Sequence, residues 1–149
     1  MMANQQSLDL VYMQTALLHA GLSKARRAKV GSCLVTTQGV CLTGYNGTPI
    51  GMDNSCEVVA DWDVNTKQEI LVTKPEVLHA ELNCLMKAAR EGISVLDSTI
   101  YITLSPCIAC SAMLIQAGIK RVVYLQQYRC TKGLELLSKA GIVVHKLEI

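Results

Sequence analysis

Two short segments of the 149-residue chain carry side chains suited to metal and proton chemistry. The first segment holds His79 and Glu81, and the second, SPCIAC, holds Cys107 and Cys110. One imidazole and two thiolates provide three ligands for zinc, and catalytic zinc sites leave the fourth position to water. Zinc lowers the pKa of such a water toward neutrality, and a carboxylate that is not a ligand can then move its proton. The two segments therefore indicate an open zinc site with Glu81 beside it.

Local sequence signals place both segments at the beginnings of helices. The run TIYITL reads as a strand, and Ser105 and Pro106, which follow it, suit the N-cap and first position of a helix. Cys107 and Cys110 would then lie in the first turn on one face, where the positive helix end favours thiolates. His79 is predicted near the start of its own helix.

The rest of the chain alternates between helical and strand-like patterns. We predict helices over 5–22, 79–91, 106–117 and 132–140, and strands over 32–37, 40–45, 99–104, 121–125 and 142–147. Between residues 46 and 75 the periodicity disappears among turn-forming residues, which predicts one long loop. Strand–helix alternation in the second half implies parallel pairing there. The chain is therefore predicted to be a single α/β domain over residues 1–149, with a mixed sheet and helices on both faces.

Composition narrows the classes of protein that the chain can be. Half of the residues are hydrophobic and 17% are charged, which is typical of a globular protein. The net charge of +2 is too small to indicate a surface that coats nucleic acid. The first residues lack the pattern of a signal peptide, and no apolar run approaches the roughly 20 residues of a membrane span. We expect a cytoplasmic protein with no membrane or nucleic-acid partner, whose seven cysteines are reduced.

Four segments together resemble one family of enzymes. They are GYNGTPIG at 44–51, HAELN at 79–83, TLSPCIAC at 103–110 and QAGIKRVVY at 116–124. The H-x-E and P-C-x-x-C pattern is the signature of zinc deaminases, and the four segments resemble the deoxycytidylate deaminases from about Lys29 to the C-terminus. This resemblance implies a cytidine-deaminase-like three-layer α/β/α sandwich around a mixed five-stranded sheet. It also implies hydrolysis of dCMP to dUMP and ammonia, which supplies dUMP for thymidylate synthesis.

The resemblance also assigns roles to individual residues. It implies that His79, Cys107 and Cys110 bind one zinc ion and that Glu81 is the catalytic proton shuttle. It implies that Asn46 and Tyr128 contact the nucleotide, although Asn46-Gly47 can equally be an ordinary turn and Tyr128 a core or interface aromatic.

Regulation and assembly are further implications of the resemblance. The family's enzymes are usually homo-hexamers that dCTP activates and dTTP inhibits together with Mg²⁺. Tyr45, Gly47 and Lys29 are the candidate effector contacts in this chain.

A basic run between Ser23 and Lys29 is the densest in the sequence. Guanidinium groups match phosphate oxygens well, so this run could hold a 5′-phosphate, and Ser23 and Arg26 are the candidates from it. The alternative for each residue is a solvated charged surface.

Two other functions remain open at this level. A deaminase acting on tRNA or single-stranded DNA would need a basic groove and stacking aromatics, whereas this chain has one Trp, five Tyr and no Phe. A non-catalytic zinc-stabilised binding module would need a fourth protein ligand to close the metal site. The sequence also leaves dCMP and CMP as alternative substrates.

Overall fold

The computed structural model describes residues 4–149. Its helices are α1 (Gln5–Ala20), α2 (Ala80–Glu91), α3 (Ile108–Gln116) and α4 (Lys132–Lys139). Its strands are β1 (Gly31–Val35), β2 (Cys41–Tyr45), β3 (Glu57–Asp63), β4 (Gln68–Thr73), β5 (Thr99–Leu104), β6 (Arg121–Gln126) and β7 (Val143–Lys146). None of the helices between residues 4 and 149 has the length and apolar character of a membrane span. The cytoplasmic location stays a prediction.

Five strands form one mixed sheet in the order β2-β1-β5-β6-β7. Strand β1 is antiparallel to both β2 and β5, whereas β5, β6 and β7 run parallel to one another. The parallel strands are joined by α3 and α4, as the strand–helix alternation of the second half predicts. The predicted mixed five-stranded sheet is confirmed.

Helices cover the sheet on both faces, and an apolar cluster fills each interface. Met13 and Ala16 of α1 pack with Cys33, Tyr101 and Val123 on one face. The cluster on the other face joins the sheet to α2, α3 and α4 through Leu34, Ile100, Val122, Leu85, Leu114 and Leu137. This arrangement confirms the three-layer sandwich.

The prediction of one long loop over residues 46–75 is wrong, because β3 and β4 form a hairpin there. Both strands pair only with each other, and most of their side chains are exposed on both faces. A half-buried strand shows apolar–polar alternation, and this hairpin lacks it because neither face is packed on a core. The turn is held by Asp63, whose carboxylate accepts the backbone N–H of Asn65. Residues 48–56 consist of turns, bends and irregular backbone.

Candidate active site

His79, Cys107 and Cys110 lie together beside the carboxyl end of β5. The Nδ1 atom of His79 is 3.6 Å from Sγ of Cys107 and 3.3 Å from Sγ of Cys110. A zinc ion with ordinary Zn–N and Zn–S bonds in tetrahedral geometry holds such atoms about 3.5 Å apart. Among the described residues, no fourth His, Cys, Asp or Glu joins this group. The donor set therefore fits a zinc ion with one open position.

The start of α2 is fixed against the sheet, and this positions His79. His79 is the N-cap residue of α2. Its side chain makes no capping hydrogen bond, so the imidazole is available to bind the metal with Cys107 and Cys110. The next carbonyl, that of Ala80, accepts a hydrogen bond from the Ser32 hydroxyl at 2.8 Å. Gly44 lies against the same carbonyl, since a Cβ at this position would be 2.4 Å from its oxygen. Strands β1 and β2 thus set the place of the first ligand.

Helix α3 begins two residues later than the N-cap at Ser105 predicts. Ser105 instead extends β5: its N–H donates to the Gln126 carbonyl, and its hydroxyl accepts the N–H of Tyr128. Cys107 is the N-cap, and its sulfur accepts the backbone N–H of Cys110. Hydrogen bonds from Cys110 and His79 lower the pKa of the Cys107 thiol to about 3. Cys107 is therefore a thiolate in this setting, which is the form that binds zinc.

Glu81 lies in the first turn of α2 and is only 3% exposed. Burial raises the pKa of its carboxyl, because the charged form loses its hydration. The carboxyl does not belong to the group of possible metal ligands, although it borders the same cavity. A buried carboxyl next to an open metal position is suited to accept and return a proton.

The open side of the metal group faces a cavity of about 320 Å³. This volume is within the range of small-molecule sites. The wall combines the metal group and Glu81 with residues of the 25–30 segment, the β3–β4 hairpin and the loop after β6. Its members outside the metal group include Arg27, Val30, Asn46, Glu57, Thr73, Val77, Leu104 and Tyr128.

Comparison with known proteins agrees with this geometry. The model of the cytidine and deoxycytidylate deaminase zinc-binding region matches residues 6–126. The chain belongs to this family. The family's zinc-binding region and the His/Cys/Cys group together confirm the predicted zinc cofactor.

Individual members of the deaminase family resemble the chain over most of its length. The deoxycytidylate deaminase of Enterobacteria phage T4 is 33% identical over 165 residues, which covers 89% of this chain and 86% of the phage protein. That of Saccharomyces cerevisiae is 35% identical over 94% of this chain, which spans only 45% of the yeast protein. The structure of dCMP deaminase from cyanophage S-TIM5 in complex with dCMP and dUMP has a TM-score of 0.82 and 37% identity, covering 97% of this chain and 100% of the phage chain.

Asn46 borders the cavity but also braces its wall. Its side-chain oxygen accepts the backbone N–H of Val30 at 2.9 Å, and its amide donates to the Ala28 carbonyl at 2.8 Å. One amide N–H is left for a ligand. The nucleotide contact therefore stays a prediction, and the bracing role is visible in the structure.

The residues of the basic run differ in whether they border the active-site cavity. Ser23 is 1% exposed and donates its hydroxyl to the Asn46 carbonyl, so it supports the wall without bordering the cavity. The exposed Arg26 forms an ion pair with Glu69 at 3.0 Å and does not border the cavity either. Arg27 does border it, with one guanidinium nitrogen 3.2 Å from the Thr73 hydroxyl oxygen. Of these three residues, only Arg27 borders the cavity, and the phosphate contact of Ser23 and Arg26 stays a prediction.

The predicted effector residues do not share the active-site cavity. Tyr45 and Gly47 border a second cavity, of about 510 Å³, together with Lys87 and Arg90 of α2. Lys29 is exposed and borders neither cavity.

Sequence reasoning missed the contribution of the β3–β4 hairpin to the active-site wall. Glu57 is 8% exposed, and its carboxylate accepts the backbone N–H groups of Arg26 at 2.7 Å and Arg27 at 3.1 Å. A signal was present in the two runs rich in β-branched residues, EVVADWD and QEILVT, which flank an Asn-containing turn.

Proposed function

We propose that this protein catalyses the zinc-dependent hydrolytic deamination of dCMP to dUMP and ammonia, as one deaminase domain over residues 1–149. The observation that carries the proposal is the open His/Cys/Cys group with the buried Glu81 carboxyl beside it, in a cavity of nucleotide-compatible size. The similar cyanophage enzyme, whose structure contains dCMP and dUMP, supports this choice of substrate.

His79, Cys107 and Cys110 would hold the zinc ion. When bound, zinc lowers the pKa of a coordinated water and so supplies a nucleophile at neutral pH. Glu81 would accept a proton from the attacking water and deliver it to N3 of the cytosine ring. The water oxygen would form a bond to C4, Glu81 would carry the second proton from that oxygen to the amino group, and the C4–N bond would break to release ammonia. Glu81 ends in its initial state, as a proton shuttle must.

We infer that the remaining wall of the cavity selects a nucleoside monophosphate. Arg27 supplies a positive charge in the cavity wall, and a guanidinium can donate two hydrogen bonds to one phosphate. Asn46 retains a free amide N–H for the sugar or base, and Tyr128 provides an aromatic face from the loop after β6. Substrate would therefore lie with its base at the metal group and its phosphate toward Arg27.

The proposal is tested by supplying zinc-loaded protein separately with dCMP, CMP and deoxycytidine, and following the loss of cytosine absorbance. We expect turnover of dCMP and at least a 10-fold lower kcat/KM for deoxycytidine, because a charge-assisted contact contributes about 1.5–3 kcal/mol. CMP reports whether the 2′-hydroxyl is tolerated. Absence of turnover with all three would overturn the proposal and make RNA or single-stranded DNA the next substrates to test.

We further propose that nucleotide triphosphates regulate this enzyme at the second cavity. Tyr45 and Gly47 directly precede and follow Asn46 of the active-site wall, so a ligand in the second cavity would act on the same segment. Lys87 and Arg90 give this cavity positive charge, which suits a triphosphate carried with Mg²⁺. On this proposal dCTP activates and dTTP inhibits.

Regulation is measured as dCMP saturation curves with and without each triphosphate and Mg²⁺. We expect dCTP to lower the half-saturating dCMP concentration and dTTP to raise it. Arg90→Gln should weaken both effects without lowering the maximal rate, and Lys139→Gln on α4 is the control. Identical curves with and without triphosphate would overturn the regulatory proposal but leave the catalytic one intact.

We also propose that the protein is a homo-oligomer, with a hexamer as the expected state. Exposed apolar side chains on α1 support association, since Leu18 is 77% exposed and Val11 is 54% exposed. Sedimentation velocity measures the state directly, and a monomer at micromolar concentration would contradict the proposal.

A further inference from the structure

A second pair of cysteines lies in contact across the β1–β2 hairpin, apart from the metal group. All seven cysteines belong to the described residues, and each is a free thiol. The Sγ atoms of Cys33 and Cys41 are 2.8 Å apart. Cys33 is opposite Thr43 and Cys41 is opposite Val35, so the two cysteines are diagonal neighbours on one face of the antiparallel pair. A disulfide would require the sulfurs to approach by only about 0.8 Å more.

The two thiols differ in their access to solvent. Cys33 is 0% exposed and packs with Met13 and Tyr101 under α1, whereas Cys41 is exposed at the start of the edge strand β2. A reagent can therefore reach Cys41 first, while Cys33 can be reached only by the Cys41 sulfur. The accessible Cys41 therefore corresponds to the attacking thiol of a redox pair, and the buried Cys33 corresponds to the resolving thiol.

We propose that Cys33 and Cys41 form a redox-active pair that closes to an intramolecular disulfide by exchange with a low-molecular-weight disulfide. The Cys41 thiolate attacks one sulfur of the small disulfide, forms a mixed disulfide and releases the other half as a thiolate. Cys33 then gives its proton to this thiolate and attacks Sγ of Cys41, and the second half leaves as a thiolate that takes up from solvent the proton that Cys41 lost on ionising. Two protein thiols are oxidised and one small disulfide is reduced to two thiols, so electrons and protons balance.

The electrostatics of the pair agree with these roles. The hydrogen bond from the Cys33 thiol lowers the pKa of Cys41 and raises that of Cys33 itself. Cys41 is therefore the thiolate of the pair near neutral pH, and thiolates are the nucleophiles of disulfide exchange. The pair lies at the β2 end remote from Tyr45, so its closure leaves the metal group in place.

The test treats zinc-saturated protein with oxidised glutathione, blocks remaining thiols with iodoacetamide and maps cysteines by peptide mass spectrometry. We expect a disulfide between Cys33 and Cys41, complete reversal by dithiothreitol, and an unchanged zinc content. The variants Cys33→Ser and Cys33→Ala should instead accumulate a glutathione adduct on Cys41. Cys41→Ser should remove disulfide formation and leave Cys33 unmodified.

Cys130→Ser is the matched control, since Cys130 is an exposed thiol. It should leave formation of the Cys33–Cys41 disulfide unchanged. The proposal is overturned if wild-type protein forms no disulfide between Cys33 and Cys41, or if Cys41→Ser oxidises at the wild-type rate. The wild-type mapping decides the question even if a Cys33 variant fails to fold.

Discussion

At the residue scale, two carboxyls border the active-site cavity, and their surroundings give them different roles. Glu57 accepts hydrogen bonds from the backbone N–H groups of Arg26 and Arg27, so its charge is already satisfied. Glu81 lies next to the metal group, and burial raises the pKa of its carboxyl. A group that exchanges a proton must be able to change its charge, and only Glu81 is placed for this.

Replacing Glu81 by Gln should therefore remove catalysis while the metal group remains. We expect kcat for dCMP to fall by about 10³-fold, within the range of general acid–base contributions. Zinc content, measured by mass spectrometry of the metal, should stay at one ion per chain. Glu91→Gln, an exposed carboxyl at the end of the same helix, is the control and should keep the wild-type rate. A Glu81→Gln variant within 10-fold of wild type would show that another group moves the proton.

Two neighbouring arginines allow a matched test of phosphate recognition. Arg27→Ala should lower kcat/KM for dCMP by about 10- to 100-fold, because one charge-assisted contact is lost. Arg26→Ala should have little effect, since its guanidinium pairs with Glu69 outside the cavity. Steady-state kinetics with both dCMP and deoxycytidine distinguish a lost phosphate contact from a general loss of activity. Deoxycytidine has no phosphate, so its kcat/KM should not change when Arg27 is replaced. Equal losses for both substrates would contradict the assignment.

At the element scale, the β3–β4 hairpin connects to the active site through Glu57. A two-stranded hairpin with exposed faces has little stability of its own, and here its first residue is bound to the 26–27 turn. The Arg26–Glu69 ion pair and the Arg27–Thr73 hydrogen bond add further links between the same two segments. The hairpin therefore fixes the segment that carries Arg27.

Glu57→Gln should disturb this segment without touching the metal group. We expect KM for dCMP to rise about 10-fold with kcat within a factor of two, since a hydrogen bond to a charged group contributes about 1.5–3 kcal/mol. Glu69→Gln is the matched control on β4, because it breaks only the exposed ion pair. A fall in kcat at unchanged KM would contradict a positioning role for Glu57.

The sequence predicts the elements of the main sheet well because their apolar patterns match their burial. Strand β5 is predicted with its observed bounds, and α2 begins within one residue of its prediction. The β3–β4 hairpin is missed because its strands bury neither face, so no alternation marks them. The N-cap of α3 is misplaced because Ser105 bonds to Tyr128, a partner 23 residues away that no local rule identifies.

At the scale of the whole molecule, a buried ion pair joins α1 to the sheet. Arg121 donates two hydrogen bonds to Asp9, at 2.8 and 2.7 Å, and Tyr101 donates a third at 2.7 Å. Asp9 and Arg121 are 112 residues apart, so the sequence alone shows only an acidic residue within a helix pattern. Burial acts to raise the pKa of Asp9, but the hydrogen bonds from Arg121, Tyr101 and Gln5 outweigh it and lower the pKa to about 2.

This ion pair predicts a defined loss of stability in acid. The pKa of Asp9 is lower in the folded than in the unfolded state. The contribution of Asp9 to the free energy of unfolding is therefore fully present above the unfolded pKa of 3.8. It is lost as pH falls from there to about 2, and its size is about 2 kcal/mol. Urea unfolding of wild type and Asp9→Asn between neutral pH and pH 2 measures it. The free energies of unfolding of the two proteins should converge as the pH falls. A difference that stays constant with pH would contradict the stabilising role of the Asp9 carboxylate.

Replacement of the dCMP amine by an oxygen from water can be tested directly. Zinc-loaded protein is incubated with dCMP in water enriched in heavy oxygen, and the product is analysed by mass spectrometry beside an assay for ammonia. We expect dUMP that carries one heavy oxygen at C4, one ammonia for each dUMP, and about 10³-fold slower product formation by Glu81→Gln. Unchanged dCMP, or dUMP without the heavy atom, would contradict it.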